Sequence, residues 1–245
     1  MLRTCARGAA TLAVMTLVAC APSADARTTQ TSATSSVSLA SGAAGPGMTA
    51  VEQAPLPAGA IRFTVASTGN SARYRVREQL MGRDLPNDAI GETKQVTGAI
   101  TVDSKGALVA GQSRFVVGTG SFRSDSDRRD GYVGRRLLES GKYPTVELLP
   151  TALRGLLATS ADAGTSAPVT FELVGDLTVR GVTHPTTWKV TAKQMNGRVT
   201  GSASTRFTFA DFAIDPPRVP IVLSVADTIG LEYDFTLVRE AASAP

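Results

Sequence analysis

The chain has 245 residues, 42% of them hydrophobic and 19% charged, an ordinary composition for one or two globular domains. Its formal charge of +4 is dispersed, with Arg128-Arg129 and Arg135-Arg136 the notable pairs, and no stretch interleaves basic and aromatic residues, so nucleic acid is not an expected partner. Both cysteines, Cys5 and Cys20, lie at the extreme N-terminus, which leaves the body without a disulfide framework, a Cys-ligated metal site or a Cys nucleophile.

Residues 1–20 read MLRTCARGAATLAVMTLVAC. Arg3 and Arg7 give a positive start, and residues 9–19 form an apolar run too short for a spanning helix, which needs about 20 residues. This is an export signal. Leu17-Val18-Ala19-Cys20 resembles a bacterial lipobox, which predicts cleavage before Cys20 and a diacylglycerol on its sulfur. Cleavage after Ala24-Asp25-Ala26 is the alternative. Ala21 follows the cysteine where the common inner-membrane retention signal has Asp. Residues 21–57 are Ser, Thr, Ala, Gly and Pro with no regular period, a flexible linker. About 35 such residues span on the order of 30–35 Å, enough to hold a body off a membrane. The expected organisation is a signal at 1–20, a linker at 21–57 and one folded body at 58–240.

The body reads as a succession of strands. Residues 61–65 alternate, and 67–71 are a turn cluster. In 72–80, Tyr74, Val76, Glu78 and Leu80 share one face while Arg73, Arg75 and Arg77 make the other face wet. Residues 81–90, with Pro86, look irregular. The next run, 93–102, aligns Val96, Gly98, Ile100 and Val102, and 108–117 returns after a turn. At 125–140 the period changes. Acidic residues at the start and Arg135 and Arg136 near the end suit a helix dipole, so a short helix is expected there, weakened by Gly131 and Gly134. Residues 145–156 are a strand or strand pair broken at Pro150, and 158–167 are a loop of small residues.

Residues 171–180 alternate strictly, with Phe171, Leu173, Gly175, Leu177 and Val179 on one side. A turn at 181–185 leads into 186–194, which aligns Trp188, Val190 and Ala192. Asn196-Gly197 is a two-residue hairpin signal, since both positions want φ > 0. Residues 199–209 answer, 211–220 are a Pro-rich excursion, and the last strand aligns Ile229, Leu231, Tyr233, Phe235 and Leu237. The fold class is therefore all-β, an antiparallel barrel of about eight strands with one short helix. Gly98, Gly175 and Gly201 lie on the inward face. In a packed sandwich they would leave costly voids, whereas a barrel of this size can hold one small ligand. The plainer alternative is that they relieve curvature.

Three segments together resemble the YceI-like family, bacterial periplasmic proteins with a lipocalin-like barrel. They are GDLTVRGVTHPTTW at 175–188, SDSDRRDGYVGRRLLESGKYPTVEL at 124–148 and TFADFAI at 208–214. The resemblance runs from about 61 to 239. It implies binding of a polyisoprenoid or other long-chain lipid in the barrel, without chemistry and without a cofactor. Two positions depart from the family: Ala213 stands where glycine is usual, and His184 where Lys or Arg is frequent. Together with the lipobox, the resemblance implies an exported protein at the periplasmic face of the envelope, held to the outer membrane by its anchor. A homodimer is left open. The competing function is a structural or adhesive envelope lipoprotein with a closed, ligand-free barrel.

The expected apolar wall of the slot is Phe63, Tyr74, Val76, Val96, Ile100, Phe115, Leu177, Trp188, Phe207, Leu231, Tyr233 and Phe235. Each of these also reads as ordinary core. Expected polar head contacts are Glu78, Arg123 and Arg128, with Arg129 beside them, near the helix entry where a phosphate could be met. Glu78 is the telling one, because a lone carboxylate on an inward face needs a partner or the wet rim. His184, the one histidine, reads as structural or exposed. With no second histidine for a metal cage, no Cys–His pair, no GxSxG elbow and no phosphate loop, neither a metal site nor catalysis is expected.

Overall fold

Side chains at i and i+2 share a face of extended chain, so each period-two run buries its apolar row as a strand. The computed structural model describes residues 56–156 and 167–240. The expected export signal and lipobox, nearly all of the linker and nearly all of the loop at 158–167 lie outside them. Ten strands form among the described residues: β1 (Ile61–Val65), β2 (Ser71–Leu80), β3 (Asn87–Thr93), β4 (Val96–Val102), β5 (Arg114–Gly118), β6 (Thr145–Arg154), β7 (Val169–Val179), β8 (Val182–Met195), β9 (Arg198–Thr208) and β10 (Val222–Arg239).

The pairings are antiparallel, and β1 joins both β4 and β10, which closes an eight-stranded barrel in the order β1-β4-β5-β6-β7-β8-β9-β10. β2 and β3 prolong the first hairpin. β10 pairs with β1 through Leu237 and Val65, then with β2 through Asp234 and Ser71, while β3 pairs with β2 as β4 does with β1. Residues 61–80 thus act as one interrupted strand. Its break is held by Asn70, whose Nδ2 donates to the Ala66 carbonyl at 2.7 Å. The Oδ1 of Asn70 accepts from the Tyr233 hydroxyl at 2.8 Å and from the Thr236 amide at 3.1 Å.

β3 begins at Asn87, inside the stretch 81–90 expected to be irregular, and ends at Thr93, the expected start of the next strand. Its inward positions are Ala89, Gly91 and Thr93, all buried. They are small because the ring of Tyr74, the register partner of Gly91, lies over that glycine: a Cβ there would meet Tyr74 Cε1 at 2.2 Å. The expected turn at 181–185 is also shorter. Arg180-Gly181 turns the chain with φ of 52° and 76°, and β8 begins at Val182 with Pro185 inside it. Asn196-Gly197 forms the foreseen hairpin turn, with φ of 53° and 72°.

The expected helix is present but short. α1 (Asp127–Tyr132) runs on into a π-helical turn, Val133–Leu137. Ser126 caps α1 by accepting from the Arg129 amide at 3.4 Å, and Asp127 and Asp130 suit its positive end. On the barrel's outer face, Arg73 pairs with Glu232 and Asp234, Arg75 with Glu232 and Asp88, and Arg77 with Asp88. This ladder explains why three arginines alternate with inward residues on β2.

The inward glycines do not make the space expected of them. A Cβ on Gly98 would lie 2.1 Å from the Arg114 carbonyl oxygen, one on Gly175 2.8 Å from that of Leu149, and one on Gly201 2.1 Å from that of Thr191. Each marks a close approach of the neighbouring strand's backbone, as a tightly curved barrel requires. Gly98 also has φ +138°. The plainer alternative, relief of curvature, is what the geometry shows.

Candidate ligand-binding site

Closing the sheet turns one row of side chains from every strand toward a common axis, and these rows do not meet. They enclose a cavity of about 800 Å³, at the upper part of the ~300–1,000 Å³ usual for small-molecule sites. All twelve apolar positions anticipated from the sequence lie on its wall: Phe63 on β1, Tyr74 and Val76 on β2, Val96 and Ile100 on β4, Phe115 on β5, Leu177 on β7, Trp188 on β8, Phe207 on β9, and Leu231, Tyr233 and Phe235 on β10. Tyr74, Val76, Ile100, Phe115, Leu231 and Tyr233 are only half-buried although they point inward. Their remaining exposed surface belongs to the cavity, whereas Leu177 and Trp188, on the same wall, are buried.

Several wall residues were not anticipated. β6 contributes Val146, Leu148 and Leu153. Its alternation is obscured by exposed Leu149 and by the bulge between Pro150 and Ala152. The helical segment adds Tyr132, Val133, Leu137 and Leu138, and the Pro-rich excursion with the residue after it adds Ile214, Pro217, Val219 and Ile221. The two segments also share a smaller polar cleft that includes Arg136, Arg180 and Arg218, so they adjoin at the same end of the barrel. At that end Met81, Leu85, Ile221 and Leu223 are exposed, with the Met81 amide donating to the Ile221 carbonyl at 2.8 Å.

Two deep polar groups on the wall, those of Trp188 and Tyr233, are satisfied by protein, whereas the Tyr74 hydroxyl is buried without a hydrogen-bond partner among the described residues. Trp188 Nε1 donates to Thr186 Oγ1 at 3.0 Å, and that hydroxyl donates to the Gly175 carbonyl at 3.1 Å. Tyr233 is spent on Asn70, and burial pushes its hydroxyl well above the usual tyrosine range. Burial likewise pushes Tyr74 up to about 12. At the helix end, Glu78 is buried and accepts from Arg129 Nη2 at 2.9 Å and Asn87 Nδ2 at 3.2 Å, both on Oε1. Arg128 lines the cavity but is exposed.

Arg123 does not line the cavity; its guanidinium donates to the Gly120 and Phe122 carbonyls, while its backbone bridges to Glu92. His184 is part-exposed, with Nε2 3.7 Å from Asp211 Oδ1 and its ring edge-on to Phe212. Asp211 accepts from the Thr208 amide at 2.7 Å, and that bond holds its carboxyl below the usual range. Among the described residues no group of His, Cys, Asp and Glu is placed to hold a metal ion, and no helix is long and apolar enough to cross a membrane.

An eight-stranded antiparallel barrel around an apolar slot, with a short helix at one end, is a lipocalin-like container. The YceI-like domain model matches residues 63–237, and the chain belongs to the YceI-like family. Its fold is similar to a polyisoprenoid binding domain from Saccharophagus degradans implicated in plant cell wall breakdown, at 11% identity and TM-score 0.54 over 73% of this chain and 98% of that one. It is also similar to BcnA of Burkholderia cenocepacia, at 17% identity and TM-score 0.52 over 70% and 98%. A mutant Campylobacter jejuni YceI protein with a monobromobimane guest gives 15% identity and TM-score 0.51 over 66% and 91%. At such identities the shared property is the fold. No curated protein matches the chain.

Proposed function

We propose that this protein is an exported carrier that holds a polyisoprenoid or similar long apolar lipid in its barrel and does no chemistry on it. The observation that carries this reading is the cavity of about 800 Å³, walled by apolar side chains from all eight barrel strands. Burial there contributes about 0.8 kcal/mol per CH₂, so several isoprene units bind tightly without one strong polar contact. A purely structural barrel gains nothing from such a void, because protein interiors lose stability wherever they are left unfilled. The polyisoprenoid binding ascribed to the Saccharophagus degradans domain supports the same ligand class.

The periplasmic character of the family supports export. In this reading Cys20 carries the lipid anchor, and residues 21–57 tether the barrel to the periplasmic face of the outer membrane. The carrier reading is tested by native mass spectrometry of protein purified from its own envelope. A homogeneous copurifying lipid is expected. Protein that is repeatedly empty, and that takes up no added isoprenoid, overturns it. Cys20→Ser is expected to release the protein from membranes; a wild-type protein already soluble after export contradicts the anchor.

A further inference from the structure

The carrier reading leaves the head of the lipid undefined, and the inference drawn here rests on that reading. Glu78 stands on the inner face of β2 with its side chain 9% exposed. A carboxylate this deep requires compensation. Its Oε1 has two donors, Arg129 Nη2 and Asn87 Nδ2. Its Oε2 accepts no hydrogen bond among the described residues, yet it is not enclosed by protein, and the residue lines the cavity. The slot therefore ends beside an acceptor with no donor.

The groups around that oxygen decide what can approach it. The Tyr74 hydroxyl, four residues before Glu78 on the same strand and wall, is buried and has no hydrogen-bond partner among the described residues. Arg129 is already bonded to Glu78 and to Asp125. Arg123 is spent on backbone carbonyls. Arg128 sits on the exposed rim, where salt screens it. A phosphate would set its negative charge against the acceptor oxygen of a buried carboxylate whose bonded cation, Arg129, is already paired. A carbonyl would bring a second acceptor to Oε2. A hydroxyl supplies the missing donor.

We infer that the slot selects an apolar lipid whose head donates a hydrogen bond and carries no negative charge, a long-chain alcohol, with Glu78 Oε2 as the acceptor.

The test is calorimetric titration of the full chain with geranylgeraniol and with the ketone, the monophosphate and the hydrocarbon of the same prenyl chain. The alcohol is expected to bind about tenfold or more tighter than the ketone or the phosphate, the worth of one hydrogen bond to a charged group. Glu78→Gln is expected to narrow the gap between alcohol and phosphate about tenfold, while hydrocarbon affinity moves by less than about twofold and so reports an intact barrel. Arg129→Gln, which leaves the carboxylate without its cation, is expected to widen the same gap.

Phosphate or ketone binding as tightly as the alcohol in the wild-type protein overturns the inference. So does a Glu78→Gln variant that keeps the wild-type ranking. If the hydrocarbon binds and the heads are not distinguished, only the head assignment fails. If none of the four compounds binds, the carrier function fails and takes the head assignment with it.

Discussion

Arg129 Nη2 lies 2.9 Å from Glu78 Oε1, joining the first turn of α1 to the inner face of β2. The side chains are 18% and 9% exposed, so little water competes for either charge. Arg129→Met leaves a buried carboxylate with only Asn87 as donor and is expected to cost about 2–4 kcal/mol. Replacing both residues, Glu78→Leu with Arg129→Met, is expected to recover most of that loss, because the stranded charge is then gone. Urea unfolding of both single variants and the double variant measures the coupling. Losses that simply add would show that the two residues do not act as a pair.

Gly201 separates a packing role from a cavity role. A Cβ there meets the Thr191 carbonyl oxygen at 2.1 Å and Phe235 Cζ at 2.8 Å. Gly201→Ala is expected to destabilise by about 1–3 kcal/mol, as overpacking does. At Gly141 nothing lies within 4 Å of the added carbon, and Gly141→Ala is expected to stay within about 0.5 kcal/mol of wild type. Equal effects at the two sites in urea unfolding would contradict the close approach of β9 to β8.

Ala213 closes the short 3₁₀ turn Ala210–Phe212 with φ 51°. A residue with a Cβ pays about 1–2 kcal/mol for that left-handed conformation, and glycine costs about 0.5–1 kcal/mol in unfolded-chain entropy. Ala213→Gly is therefore expected to stabilise by roughly 0.5–1 kcal/mol and to raise Tm by roughly 1–4 °C. A lower Tm would mean that the Ala213 methyl makes contacts worth more than the strain. Ala213 is one of the two positions at which the resemblance read from the sequence expects another residue, and the left-handed conformation supplies a physical reason for glycine there.

These three sites show what sequence could and could not convey. Alternation is a property of single strands, so the inward rows carrying Phe63, Trp188 and Phe235 were legible without neighbours. β3 was not legible, because Ala89, Gly91 and Thr93 carry almost no hydrophobic signal. Their small size answers Tyr74 on another strand. The inward glycines were seen but misread for the same reason: an absent side chain looks like space until the adjacent backbone is placed. Glu78 was visible as an odd carboxylate, yet the choice of Arg129 over Arg123 depends on how α1 crosses the barrel end.

Acid should weaken the outer ladder. Arg75, by its hydrogen bond, and then Arg73 hold the Glu232 carboxyl below its ordinary 4.5, and Arg77 and Arg75 hold Asp88 below its ordinary 3.8. Depressed carboxyls contribute stability that is complete above their unfolded values and is lost as pH falls through the folded ones. Thermal unfolding is expected to be flat from neutral pH down to about 5 and to fall below about 4. Arg75→Gln is expected to shallow that fall. In base the sign reverses for Tyr74, pushed by burial from 10.0 to about 12: its contribution is complete below 10.0 and is lost as pH rises through about 12. An unchanged acid slope in Arg75→Gln would contradict the assignment to the ladder.

The central claim is that lipid occupies the barrel, and Trp188 can report it directly. It is the chain's one tryptophan, and it lies on the cavity wall. Ala203, half-buried on β9, faces the same cavity. The measurement is Trp188 fluorescence during titration with geranylgeraniol, in the wild type and in Ala203→Phe, which puts a ring into the slot. A saturable emission change in the wild type is predicted, weakened about tenfold or more in the variant while its unfolding free energy stays within about 1 kcal/mol. Emission that does not respond to lipid, or a variant that binds as well as the wild type, would contradict the account.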